Sequence, residues 1–116
     1  MMIATAQRTD TVSAQQALEV AQDFIADRLT DLMGAGAPWR MSSPFGRVWI
    51  VPIWIAYPGH DLIGVIGSIA VDEWTGNIVS WTPEDEVRAN ATHFREQNEA
   101  AIASGFNLLR QSIAAN

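Results

Sequence analysis

Between Arg47 and Trp81 short apolar runs alternate with tight-turn residues, and on either side apolar positions recur at helical spacing. In Val48 to Tyr57 both parities are apolar: Val48, Ile50 and Trp54 on one face, Trp49, Val51, Ile53, Ile55 and Tyr57 on the other. A half-buried strand would alternate, so this pattern predicts a strand covered on both sides. Pro52 has no amide hydrogen for a ladder and points to a bulge or an edge there. Pro58-Gly59-His60-Asp61 is a turn by composition. Leu62 to Asp72 predicts the next strand, with Ile63, Val65, Ile69 and Val71 as its core face. Gly64, Ser68 and Ala70 on the other parity are small enough for a bulky aromatic to approach closely. Glu73 to Asn77 closes a hairpin, Gly76 is its candidate for positive φ, and Ile78 to Trp81 is the last strand. Trp39 to Ser42 reads as a short first strand before a turn at Ser43-Pro44-Phe45-Gly46.

The flanks are helical. Ser13 and Gln16 have the spacing of a capping box, and Ala17, Val20, Ala21, Phe24, Ile25, Leu29 and Leu32 follow at helical spacing. Gly34, Gly36 and Pro38 supply the stop, so a helix is expected at 14–33, burying Phe24, Ile25 and Leu32. Met1 to Asp10 carries no periodicity, and residues 1–12 are expected to fray. After the sheet, Thr82 is the expected N-cap, Pro83 the first helical residue, and Glu84, Asp85 and Glu86 suit the positive end of the dipole. Val87, Ala91 and Phe94 form one apolar stripe; Ile102, Phe106, Leu109 and Ile113 form a second. Ser104-Gly105 is the expected break between them. The expected fold is one α+β domain over residues 1–116. Its N-terminal helix packs on a three- to four-stranded antiparallel meander, followed by one or two C-terminal helices. The C-terminal segment is the candidate to cover the second apolar face of the sheet. If it does not reach, that face becomes a homodimer interface.

Charge and composition narrow the function. The 116 residues are 48% hydrophobic and 17% charged, with a net charge of −6, which opposes binding to nucleic acid or to an anionic membrane surface. All seven basic residues are arginine, scattered along the chain. No cysteine is present, so disulfides, thiolate metal sites and cysteine nucleophiles are excluded. No signal-peptide pattern opens the sequence, and the ten-residue apolar run from Val48 to Tyr57 is too short to cross a bilayer as a helix; a cytoplasmic location is expected. Glu19, Asp23, Asp27 and Asp31 recur every fourth residue on the flank away from the first helix's apolar face. They read as a solvated face or as a docking ridge for a basic partner. Arg28 projects toward the apolar sector, to snorkel or to pair with a sheet carboxylate.

The strand ending in Val71-Asp72, then Glu73-Trp74-Thr75-Gly76 and Asn77-Ile78-Val79, resembles the close of a PepSY domain, V-D-x-x-T-G-x-I/V. A similar ending occurs in small bacterial immunity proteins that neutralise toxins. The likeness covers roughly residues 14–81. It implies a helix packed on an antiparallel sheet and a non-catalytic, inhibitory or regulatory role, with Asp72 and Gly76 shaping the turn.

Candidate chemistry is sparse. His60-Asp61 in a turn lacks an accompanying nucleophile motif, and His93 with Glu96 is a single i, i+3 pair without a second copy. No phosphate loop, Ser–His–Asp pattern or dinucleotide fingerprint is present. No catalytic residue, cofactor or metal ligand is therefore assigned. Five tryptophans, Trp39, Trp49, Trp54, Trp74 and Trp81, lie on the sheet or its turns, and burial is the expectation for most of them. Trp74, at a hairpin tip, is the one expected to be exposed, and exposed tryptophans are enriched among binding hot spots. The leading reading is a non-enzymatic cytoplasmic protein that binds a protein partner in an inhibitory, immunity-like or regulatory role. Its expected contacts are Trp74 with Glu19, Asp23, Asp27 and Asp31. The alternative is a small-ligand or enzymatic module, with a pocket between the sheet and the C-terminal helices lined by Trp49, Trp54 and Phe94.

Overall fold

The structure is a computed structural model that describes residues 11–30, 32–44, 46–57 and 62–114. Its elements run α1 (Ala14–Arg28), β1 (Met33–Ala35), β2 (Trp39–Ser43), β3 (Gly46–Tyr57), β4 (Leu62–Asp72), β5 (Ile78–Trp81), α2 (Glu84–Gln97) and α3 (Glu99–Ala114). The strands form one antiparallel sheet in the order β1-β3-β4-β5, with β2 also paired to β3. The fold is α+β, as the periodicity predicts.

The capping box closes both its bonds: Ser13 Oγ accepts from the Gln16 amide at 3.1 Å, and Gln16 Oε1 accepts from the Ser13 amide at 2.8 Å. The helix then ends at Arg28 instead of continuing to 33. The sheet takes over the expected last turn, because the free edge of β3 needs backbone partners. Met33, Gly34 and Ala35 pair with Ile55, Trp54 and Ile53, and the Ala56 amide donates to the Leu32 carbonyl. Leu32 is consequently exposed rather than buried, Phe24 is half-buried, and Ile25 is in the core with Ala17 and Ala21. Val12 does not fray. It is buried, its amide donates to the Glu73 carbonyl, and its carbonyl accepts from Trp49 Nε1 at 2.8 Å. Met1 to Asp10 and the turn at 58–61 lie outside the described residues.

Pro52 sits inside β3 without breaking the sheet, for a reason visible in the register. β2 pairs with Gly46 to Ile50 and β1 with Ile53 to Ile55, which leaves the edge beside Pro52 unpaired. The Pro52 carbonyl points to that gap and accepts from the Gly36 amide at 2.8 Å. The missing amide hydrogen faces the same gap, where no ladder asks for it.

A β-bulge overturns the expected face of β4. Ile53 pairs with Gly67 and Trp54 with Val65, so Ile66 is the extra residue. Beyond it the parity reverses: Ile69 and Val71 are buried, but Ile63 and Val65 are 51% and 66% exposed. Gly64 and Gly67 both arrive on the helix-bearing face, where α2 uses them. A Cβ on Gly64 would come within 2.6 Å of the Phe94 ring, and one on Gly67 within 3.1 Å of Val87 and Thr82. Asn90 Nδ2 donates to the carbonyl of the bulged Ile66 at 2.9 Å, pinning the middle of α2.

The start of α2 also departs from expectation. Thr82 does not cap the helix; its Oγ1 accepts from the Ser68 amide while its own amide donates to the Ser68 carbonyl, extending the β4–β5 ladder. The break between the C-terminal helices falls at Asn98, not at Ser104-Gly105, which lie within α3. Asn98 closes α2 by donating from Nδ2 to the Phe94 carbonyl. Arg28 pairs with Glu84 on α2 at 3.9 Å rather than with a sheet carboxylate, and its guanidinium lies over the Phe24 ring.

Both α1 and α2 therefore cover one face. Ala17, Ala21 and Ile25 of α1 meet Val87 and Ala91 of α2 in a single core with Trp49, Val51, Ile53 and Ile55. The C-terminal segment does not reach the other face. α3 meets the sheet through Phe106, whose ring stands edge-on to Tyr57, and leaves Phe106, Leu108 and Leu109 exposed. The radius of gyration is 18.0 Å, well above the roughly 13 Å expected of a compact chain this long.

Candidate functional site

The face of the sheet away from the helices carries most of the exposed large hydrophobics of the described strands. The pleat carries Trp39 and Met41 of β2, Val48, Ile50, Pro52 and Trp54 of β3, and Ile63, Val65 and Ala70 of β4 to the side away from the helices. Among the described residues no helix lies over them, but Val48, Pro52 and Ala70 are buried and Gly36 packs against Pro52 and Trp54, so the exposed side chains fall into two groups at opposite ends of the face. Trp39 is 50% exposed, Met41 52% and Trp54 37%, beside the Ile63 and Val65 already noted. Trp54 packs closely against Gly36, whose missing side chain leaves room: a Cβ there would sit 2.7 Å from Trp54 Nε1 and 2.8 Å from Pro52 Cγ. The only ionisable residue on this face among those described is Asp72, at its rim. Its carboxylate is engaged, accepting from the Trp74 and Thr75 amides at 2.7 and 3.1 Å. Scattered exposed hydrophobics are ordinary, but five large ones on one face of a sheet, in two groups, make that face the candidate contact surface.

Four of the five tryptophans are exposed, against the expectation of burial. Trp49 alone is buried. Trp81 meets Phe24 on the helix side, ring centroids 5.6 Å apart and planes tilted by 55°, and stays 44% open. Trp74 is the most exposed of the five, at 57%, on a hairpin that Asp72 and Gly76 (φ 76°) shape as the motif implies. Glu19, Asp23 and Asp27 line the outer flank of α1, all exposed. Asp31 lies beyond the end of that helix and outside the described residues. Val12 ties the hairpin backbone to the start of α1, but among the described residues no hydrogen bond or ion pair joins Trp74 to the acidic residues.

The pocket expected from Trp49, Trp54 and Phe94 does not form. The sheet separates Trp54 from the other two, Arg40 lies 4.7 Å over Trp49, and Phe94 stacks on Tyr57. A cleft of about 310 Å³ opens instead between α2 and the β1–β3 edge, with Ile55, Tyr57 and Ala91 in its walls and Arg88 and Arg95 beside them. A second, of about 350 Å³, lies between α1 and β1, lined by Gln22, Ile25, Ala26, Thr30, Met33 and Gly34.

One polar cluster escapes sequence reading. Glu73 is 5% exposed, and its carboxylate receives Arg40 Nε at 2.9 Å and Arg47 Nε at 3.5 Å. The signal, weak in advance, is that Arg40 and Arg47 flank the β2–β3 turn at parities that place them both over the helix face. This cluster locks the β2–β3 and β4–β5 turns together and is structural. His93 and Glu96 are exposed on α2, and His60-Asp61 lies outside the described residues. Among the described residues no group of three His, Asp or Glu is placed to hold a metal, and no helix is long and apolar enough to cross a membrane. No protein-family model, curated protein or solved structure matches the chain.

Proposed function

We propose that this chain is a non-enzymatic cytoplasmic protein that works by binding protein, in an inhibitory, immunity-like or regulatory role. The observation that carries the reading is the open sheet face, with Trp39, Met41, Trp54, Ile63 and Val65 in water. A chain that spends two aromatic and three aliphatic side chains on one uncovered face gains from that face only when something else covers it. The PepSY-like relationship belongs to the same reading. What supports it is the helix laid on an antiparallel sheet and the Asp72–Gly76 turn. The test is a photo-crosslinking amino acid at position 65 in the native cell, with position 15 on the exposed flank of α1 as control. A covalent protein adduct at 65 and none at 15 is the expected result; no adduct at 65 above the control refutes the reading.

A small-ligand module is a second reading, favoured by one observation. Arg95 stands beside the apolar walls of the α2–β1 cleft with Arg88, whose guanidinium also reaches Glu84 at 3.6 Å, and a cation next to apolar walls suits a carboxylate with an apolar body. Calorimetric titration with aliphatic and aromatic carboxylates tests it: saturable heat lost in Arg95→Gln supports it, and no heat removes it.

A further inference from the structure

We infer that the occupant of the open sheet face is a second copy of this chain, so that two sheets stack face to face with their helices outermost. The inference rests on the reading of that face as a binding surface and goes on to name what binds it. Three observations select the occupant.

The first is charge. The chain carries a net −6, yet the face holds no ionisable side chain among the described residues except the turn-bound Asp72. A partner of either sign would find nothing here to pair with, and non-obligate interfaces are ordinarily as polar as the rest of a surface. A charge-free, aromatic-rich face has instead the make-up of a homo-oligomer core. Stacking two such faces also sends Glu19, Asp23 and Asp27 of each copy to opposite outer layers, so self-association does not oppose like charges.

The second is area. With roughly 150–250 Å² available on each large side chain, the exposed fractions of Trp39, Met41, Trp54, Ile63 and Val65 amount to about 500 Å² per copy. Two copies give about 1,000 Å² from those five residues. Half-buried Ile50 and exposed Ala56 carry the total toward the roughly 1,200 Å² at which stable interfaces begin.

The third is shape. Trp39 and Met41 stand beside Ile50 and Val48 on one side of β3, while Ile63 and Val65 stand beside Ala56 and Trp54 on the other. The broad corner and the β-branched corner are diagonally opposed. A two-fold axis lying between stacked sheets can set each corner on its opposite in the partner, an isologous fit. Sheets packed this way interdigitate at about 10 Å.

Sedimentation equilibrium on the full chain tests the inference, from low micromolar to hundreds of micromolar, with Val65→Asp, Ile63→Asp and Trp74→Ala beside the wild type and circular dichroism to confirm folding. The expected result is a wild-type mass approaching twice 12.7 kDa. The two aspartate variants, carrying a charge into the seam, should dissociate about a hundredfold more readily. Trp74→Ala, off the face, should match the wild type. A wild-type monomer throughout overturns the inference. So does a dimer that folded Val65→Asp and Ile63→Asp leave intact, which places the contact on the β5 edge or on α3. An in-cell adduct from position 65 to a different protein, together with a wild-type monomer, sinks this inference and leaves the protein-binding reading standing.

Discussion

Replacing Gly64 by alanine probes the contact that seats α2 on the same side as α1 and so leaves the other face without a helix. The new Cβ would lie 2.6 Å from Phe94 Cδ1 and Cε1 and 3.1 Å from Cγ. Carbon atoms prefer about 3.5–4.0 Å, so the ring must retreat by close to 1 Å. Three atoms of one ring are affected, and Phe94 is only half-buried, which lets it swing away rather than push β4 out of register. Swinging forfeits the stack on Tyr57 at 6.2 Å, worth about 0.5–1.5 kcal/mol, and adds part of the usual overpacking cost of about 1–3 kcal/mol. Against this, alanine restricts the unfolded chain and returns about 0.4–1 kcal/mol. The expected net loss is about 1–2 kcal/mol, which lowers the melting temperature by roughly 4 °C per kcal/mol in a domain of this size. Thermal and urea unfolding at one fixed protein concentration measure it, because association would otherwise shift the midpoint. The double variant carries the argument. In a Phe94→Ala background Gly64→Ala should cost nothing or stabilise slightly, giving a coupling of at least about 1 kcal/mol. Equal losses in both backgrounds, or no loss in the wild type, would mean that Phe94 does not rest on Gly64 and that the seating of α2 is wrong.

Two further substitutions address the polar contacts. Asn90→Ala removes the donor to the bulged Ile66 carbonyl; after its better helix propensity is credited, it should cost about 1 kcal/mol in urea unfolding, and a midpoint that rises would contradict the bond. Glu73→Gln keeps the shape of a nearly buried side chain but loses its charge toward Arg40 and Arg47. Because both arginines are about half exposed and can rehydrate, the loss should be about 1–2 kcal/mol rather than that of a fully buried pair, and unchanged stability would show that the cluster contributes nothing.

Local chemistry announced itself in the sequence where a few neighbouring residues decide the structure. Ser13 and Gln16 form both bonds of the capping box, and Asp72 and Gly76 build the hairpin turn as their types demand. What stayed hidden depends on partners distant in sequence. Nothing in Val65-Ile66-Gly67 marks Ile66 as the extra residue beyond its glycine neighbours, so Ile63 and Val65 read as core until the register with Ile53 and Trp54 is known. The last expected turn of α1 has good helical periodicity, yet the free edge of β3 claims Met33 to Ala35. Thr82 has the composition of a cap and is used by Ser68 instead. The candidate surface was half visible: two apolar parities on β3 required cover on both sides. That the C-terminal helices choose the same side as α1 follows only from where Gly64, Gly67 and the Ile66 carbonyl end up.

The absence of cysteine permits a direct measurement of whether the open face is covered by another copy. Val65→Cys places a single thiol on the face and Trp74→Cys a single thiol on the hairpin tip, each modified by a small alkylating reagent under reducing conditions over a range of protein concentrations. If the face is the seam between two copies, the rate at position 65 falls steeply as concentration rises while the rate at position 74 stays constant. Equal, concentration-independent rates at both positions would contradict it.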